Sequence, residues 1–195
     1  MRTFSRFAAF IVLLIPLGGC SKSNLQPVSV PNYDPDSISA ALLQQYDQNR
    51  DGNIDRSEAE KCPALKSAFA AIDTDQDQKL NKAELVTRIT AYRDSGSLVS
   101  ATVQVYVKGQ PAADHLVVIT PESAFSSSFK PAEGKTDANG FTPLRVTGYE
   151  ALGVPAGLYS ITVTNSSGKL LGKVPLGQEI FESGRSSGGA IELQF

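Results

Sequence analysis

Between Asp47 and Glu84 one twelve-residue pattern is written twice, and no other feature of the chain limits its folding as tightly. The first copy runs Asp47-Gln48-Asn49-Arg50-Asp51-Gly52-Asn53-Ile54-Asp55-Arg56-Ser57-Glu58. The second runs Asp73-Thr74-Asp75-Gln76-Asp77-Gln78-Lys79-Leu80-Asn81-Lys82-Ala83-Glu84. In both, short oxygen-bearing side chains stand at positions 1, 3, 5 and 9, and a Glu stands at position 12. A hard cation such as calcium takes six to eight oxygens, and a single loop can supply them at this spacing. Asp, Asn and Gly also mark surface turns, but turns alone do not account for two in-register copies with matching flanks. Leu43 and Tyr46 precede the first copy at the same offsets as Phe69 and Ile72 precede the second. Each pair is one apolar face of an incoming helix.

These residues resemble the EF-hand family. The resemblance implies that Asp47, Asn49, Asp51, Asp55 and Glu58 hold one calcium ion, and Asp73, Asp75, Asp77, Asn81 and Glu84 a second. Asn53 and Lys79, at position 7, would contribute backbone carbonyls, and position 9 can act through water. Ile54 and Leu80, at position 8, would meet in a short β-bridge. Position 6 turns with positive φ, which suits Gly52. The second copy has Gln78 there, and a left-handed non-Gly residue costs about 1–2 kcal/mol, so the second site is expected to be weaker. Asp73 follows Asp47 by 26 positions, leaving the 14 residues Ala59 to Ile72 for an outgoing and an incoming helix. Pro63 is expected to start the incoming one. The pair should be compact, with little room to open.

The chain begins with Arg2 and Arg6, then an apolar run from Phe7 to Leu17. The run is shorter than the roughly 20 residues a membrane span needs and reads as a secretory signal. It ends Leu17-Gly18-Gly19-Cys20, which resembles the lipobox of bacterial lipoproteins. That resemblance implies cleavage before Cys20 and lipidation of its thiol, with Ser21 favouring the outer membrane. Residues 1–19 would be the signal, and 20–36 the lipidated Cys and an extended Ser/Asn/Pro-rich tether. Asp34, Asp36 and Ser37 are candidate caps for a first helix over Ser37–Tyr46. Without residues 1–19 the chain has 16 basic and 20 acidic side chains, and it carries no basic stripe. Nucleic acid is not expected as a partner. With Cys20 lipidated, Cys62 lacks an intrachain partner. It reads as a small buried residue, the sharper reading being a disulfide between two copies. A last helix over Lys82–Tyr92 would turn Leu85, Ile89 and Tyr92 to one side and stop near Ser95-Gly96-Ser97.

From Leu98 charges thin out, and alternating apolar runs are separated by turns. The runs are 98–107, 116–120, 140–146, 158–164, 170–174 and 190–195. Six or seven short strands predict an antiparallel sandwich. The order Gly109-Gln110-Pro111, Thr136-Asp137-Ala138-Asn139-Gly140-Phe141 and Val154-Pro155-Ala156-Gly157-Leu158-Tyr159 resembles the carboxypeptidase-regulatory-like or transthyretin-like β-sandwich. Asp137 to Gly140 reads as a tight hairpin turn, and Ser183 to Gly189 as a loop before a closing strand. His115, the single histidine, sits at a strand start and reads as an edge residue.

The fold class expected is α+β in two domains: an EF-hand pair over 37–95, then a β-sandwich over 98–195. The expected function is calcium binding by a lipid-anchored, non-catalytic protein of the bacterial envelope, with calcium structural. A calcium sensor acting on an envelope partner, and an adhesion module for protein or glycan, stand as alternatives.

Overall fold

The computed structural model describes residues 32–96, 98–149, 151–181 and 190–195. The expected signal segment, Cys20, most of the tether and the Ser183–Gly189 loop lie outside the described residues.

Helix α1 (Pro35–Tyr46) starts two residues before the expected Ser37. Of the three candidate caps Asp34 is the one used, its carboxylate accepting from Ser37 N at 3.1 Å, and Pro35 fills the first turn, where a missing N–H does no harm. The first loop leads into β1 (Asn53–Asp55) and the single-turn α2 (Arg56–Ala59). Helix α3 (Pro63–Ile72) begins at Pro63, as expected, and runs into the second loop. Then come β2 (Lys79–Asn81) and α4 (Lys82–Asp94), which buries Leu85, Ile89 and Tyr92. Strands β1 and β2 pair antiparallel with Ile54 opposite Leu80.

The second part holds β3 (Leu98–Val99), β4 (Thr102–Val107), β5 (Gln110–Pro111), β6 (Leu116–Pro121), β7 (Ala132–Lys135), β8 (Phe141–Pro143), β9 (Arg145–Val146), β10 (Val154–Pro155), β11 (Gly157–Thr164), β12 (Leu170–Ile180) and β13 (Ile191–Gln194). One sheet has the order β12-β11-β6-β7-β9, all antiparallel. In the other, β4 pairs with β13, β5 and β8. Strands β3 and β10 form a small separate pair. The inward faces, among them Val103, Val105, Val117, Ile119, Ile161 and Val163, are buried together.

Three expectations for this part need correction. The closing strand β13 runs parallel to β4; it follows β12, a strand of the other sheet, so it is not a hairpin neighbour of the strand it pairs with. Asp137 to Gly140 is a closed turn, with Gly140 N donating to Asp137 O at 3.0 Å, but its flanking strands belong to opposite sheets, so it is a corner between layers and not a hairpin. Strand β7, whose sequence Ala-Glu-Gly-Lys lacks alternation, falls outside the expected runs.

The two parts share one continuous core, from Tyr33 to Leu193. Tyr33 meets Phe125 and Phe129 edge-on at centroid distances of 5.9 and 5.3 Å, and Phe129 stacks over Tyr159 at 6.3 Å. Tyr92 meets Phe181 at 5.2 Å. Such pairs contribute about 0.5–1.5 kcal/mol each beyond area burial. Helix α3 lies directly on β12. At Gly177 an added Cβ would come within 1.8 Å of the Pro63 carbonyl carbon, so only glycine lets the two backbones approach this closely.

Two carboxylates tie the helical part to the sandwich. Glu122, 8% exposed, accepts from Tyr46 Oη at 2.6 Å, Cys62 Sγ at 3.3 Å and Ser123 N at 2.9 Å. Burial pushes its carboxyl upward, but these donors outweigh burial and hold it below the usual glutamate range. Glu179 pairs with Arg88 Nε at 2.7 Å and accepts from the Tyr92 hydroxyl, and its backbone N–H donates to Ser67 Oγ at 3.0 Å. Cys62 is free and 1% exposed. Burial, aided by the Glu122 charge, raises its thiol to about 11. A thiol so enclosed and so weakly ionised is a packing residue and is poorly placed to cross-link two copies.

Candidate metal centre

Each acidic loop is held between an incoming helix and a capped outgoing one. In the first, the α1 ladder ends when Asp47 N donates to Leu43 O at 2.9 Å. Arg50 and Gly52 are both left-handed, with φ of 61° and 86°, and this curls the loop so that its amides point at its own acids. Asp51 N lies 3.2 Å from Asp47 Oδ1 and 2.7 Å from Asn49 Oδ1. Gly52 N donates to Asp47 Oδ2 at 2.9 Å, and Asn53 N to Asp51 Oδ1 at 2.9 Å. Asp55 caps α2, accepting from Glu58 N at 2.9 Å. In return Glu58 Oε2 accepts from Asp55 N at 3.0 Å, while Oε1 reaches back to Gln48 N at 2.8 Å and Asn49 N at 3.2 Å. Glu58 is only 6% exposed, so position 12 closes the loop on itself.

The second loop repeats the design. Gln76 and Gln78 are left-handed, with φ of 61° and 67°, so Gln78 takes the conformation expected of position 6. Gln78 N donates to Asp73 Oδ2 at 3.1 Å, Asp77 N to Asp75 Oδ1 at 3.1 Å, and Lys79 N to Asp77 Oδ1 at 2.8 Å. Glu84 Oε1 accepts from Thr74 N at 2.8 Å and Oε2 from Asn81 N at 3.1 Å. Asn81 caps α4, its Oδ1 accepting from Ala83 N and Glu84 N at 2.9 and 3.1 Å.

The chemistry of the donors suits a hard cation. Asp73, Asp75 and Glu84 bring a carboxylate oxygen each to within 4.8 Å of one another, the only such group of three among the described residues. Asp73 is 6% exposed, and its Oδ1 is buried with no hydrogen-bond partner. A buried acceptor left this way is costly unless a cation meets it. The single histidine is remote, its Nδ1 lying 2.7 Å from Ala113 O beside β6, and the Cys62 thiol faces Glu122, so soft ligands play no part. When bound, calcium would supply charge neutralisation and order rather than reactivity, held by the side chains of Asp73, Asp75, Asp77, Asn81 and Glu84 and their counterparts Asp47, Asn49, Asp51, Asp55 and Glu58.

The position 7 side chains take up other work. Asn53 Nδ2 lies 3.4 Å from Asp51 O. Lys79 crosses to the first loop, Nζ standing 3.1 Å from Asp51 Oδ2. That hydrogen bond, with the amide of Asn53, holds the Asp51 carboxyl below its usual range, and Asp51 in turn raises the lysine. Asp55 is lowered as well, chiefly by the Ser57 hydroxyl and then by the Glu58 amide. Reading by position left out the lysine contact and the left-handed Arg50 and Gln76. Their only signal was a long polar side chain at position 4 and a basic one at position 7.

Residues 39–61 match the family model described as EF hand. The match spans most of α1, the first loop and α2, and supports calcium binding. The second loop lies beyond it. No curated protein matches the chain. A solved structure described as that of a protease is 15% identical over 43% of this chain and 15% of its own, with a TM-score of 0.28. A likeness this slight carries no argument.

Proposed function

We propose that this protein is a lipid-anchored, non-catalytic component of a bacterial envelope in which two calcium ions brace a helical pair against a β-sandwich. The observation that carries the calcium reading is the pair of in-register loops joined at Ile54 and Leu80, one of them presenting the unpartnered, buried Asp73 Oδ1. Extracellular calcium modules often bind at roughly 10⁻⁴–10⁻³ M, which suits a metal that is always present.

A structural role is favoured over a sensor by what the helices already cover. A sensor exposes an apolar groove when its helices part. Here α3 lies on β12 with backbone against Gly177, and Tyr46, Tyr92 and Arg88 are engaged by Glu122 and Glu179. Opening the pair would break these contacts. The anchor rests on the Leu17-Gly18-Gly19-Cys20 sequence and the polar tether behind it. Two or three acyl chains hold a protein stably where one is marginal. The non-catalytic reading rests on the absence of any nucleophile-base arrangement in the sequence motifs.

A second reading, a binding module for an envelope protein or glycan, is favoured by a groove of about 330 Å³. Glu133, Arg145, Thr147, Tyr149 and the exposed Leu152 line it.

Calorimetric titration of the chain from Ser21 onward tests the calcium reading. Saturable binding below a few millimolar, with a higher melting temperature, is expected. No heat and no stabilisation at several millimolar would sink it. For the anchor, labelling with an alkyne fatty acid should mark the wild type and not Cys20→Ser. Equal labelling would reject it.

A further inference from the structure

We propose that Lys79, though it belongs to the second loop, sets the calcium affinity of the first, and that the second loop is therefore the tighter site. This rests on the calcium reading above.

Each loop carries four carboxylates: Asp47, Asp51, Asp55 and Glu58 in one, and Asp73, Asp75, Asp77 and Glu84 in the other. Equal ligand charge would leave the strained Gln78 to decide the ranking, against the second site. The β1–β2 register changes this. It sets Lys79 opposite Asp55, and from there the ammonium reaches Asp51 Oδ2 at 3.1 Å. The other oxygen of Asp51 already accepts from Asn53 N. One position 5 ligand of the first loop is thus neutralised from across the bridge before any metal arrives. The first loop also holds its own Arg50 and Arg56, the latter with its guanidinium 4.7 Å from the Phe69 ring centre.

The second loop keeps less of these charges. Lys79 gives its hydrogen bond to Asp51, with Asp77 of its own loop in Coulombic reach only, and Lys82 turns its ammonium to Asp36, 3.0 Å distant. What stays is a three-carboxylate group within 4.8 Å, with Asp73 Oδ1 buried and unpartnered. In the first loop, by contrast, both oxygens of Asp47 already accept backbone amides. Calcium affinity in such loops follows ligand charge, and the charge left free now favours the second loop.

The test isolates each site in the full-length protein kept in detergent. Glu84→Gln leaves the first loop as the competent one, and Glu58→Gln leaves the second. Calcium is titrated into each, with and without Lys79→Gln, at low ionic strength. The second loop should bind more tightly than the first. Lys79→Gln should tighten the first loop about three- to tenfold and the second less than about twofold. The gain should shrink in half-molar salt, which screens partly exposed charges. Lys79→Arg keeps the charge and should leave the first loop near wild type, which separates an electrostatic effect from a packing one. A tighter first loop would overturn the proposal. So would Lys79→Gln acting on the second loop as strongly as on the first, or acting on neither. In those cases calcium still binds and only the ranking falls, whereas a wild type that takes up no calcium removes the underlying reading as well.

Discussion

The two acidic loops share a ligand pattern and differ in how they are supported. The first has the glycine that its turn needs, yet its acids are answered by its own amides and by a lysine from its neighbour. The second holds Gln78 at φ 67°, yet its incoming helix α3 is pressed onto the sandwich at Gly177, and one oxygen of its buried Asp73 has no protein partner. The lesson is that a loop read alone ranks by its residues, while a loop in a fold ranks by its neighbours. Backbone strain of about 1–2 kcal/mol is comparable to the effect of one added or removed charge, so either can decide.

The comparison can be broken most forcefully at Gly177. Replacing it by Ala pushes a methyl group into the Pro63 backbone, and overpacking of this kind costs about 3 kcal/mol. Urea unfolding should show that loss, and calcium binding at the second loop should suffer more than at the first, because α3 feeds it directly. Glu84→Gln should come next. Even indirect support for a metal is worth 10–100-fold in affinity, so loss of the closing carboxylate should weaken the second site about a hundredfold by calorimetry and leave the first measurable. Gln78→Gly should sharpen the contrast in the other direction. It relieves the left-handed residue, and calcium should bind the second loop about fivefold more tightly, corresponding to about 1 kcal/mol.

The smallest effect is expected in acid. Glu122 is held below the usual glutamate range by Tyr46, the Ser123 amide and Cys62, against its burial. A carboxyl lowered on folding stabilises the native state fully above its unfolded value of about 4.3 and loses that contribution as pH falls through the folded value. Melting curves of wild type and Glu122→Gln in chelator should therefore converge on acidification below about pH 4.3, the variant changing less steeply. Parallel curves would show that this carboxylate does not link the helical part to the sandwich.

What was legible in the sequence was local. Position 6, the Pro63 start and the Ile54–Leu80 meeting all depend on a dozen residues or fewer, and each was found as read. The alternation in Leu158 to Thr164 likewise named a strand that is buried on its inward face. What escaped depends on distant partners. Glu122 meets Tyr46 across 76 residues and Cys62 across 60, and nothing near it in the chain announces either. The Lys79 contact spans 28 residues and follows from strand register, which no single loop contains. Strand β13 was placed correctly and given the wrong sense, because alternation is the same in parallel and antiparallel strands. The continuous core, with Tyr33 and Phe125 in one seam, could not be read from a composition change at Leu98, which marks two kinds of structure and says nothing of how firmly they join.

The most direct measurement of the central claim is a calcium titration of the chain from Ser21 onward by calorimetry, with melts of the metal-free and saturated protein. Two binding events and one cooperative transition shifted upward by calcium would show metal bracing a single fused unit. Binding that leaves the melt unmoved while exposing new apolar surface to a dye would contradict the bracing role, and no binding at several millimolar would return both acidic loops to ordinary surface turns.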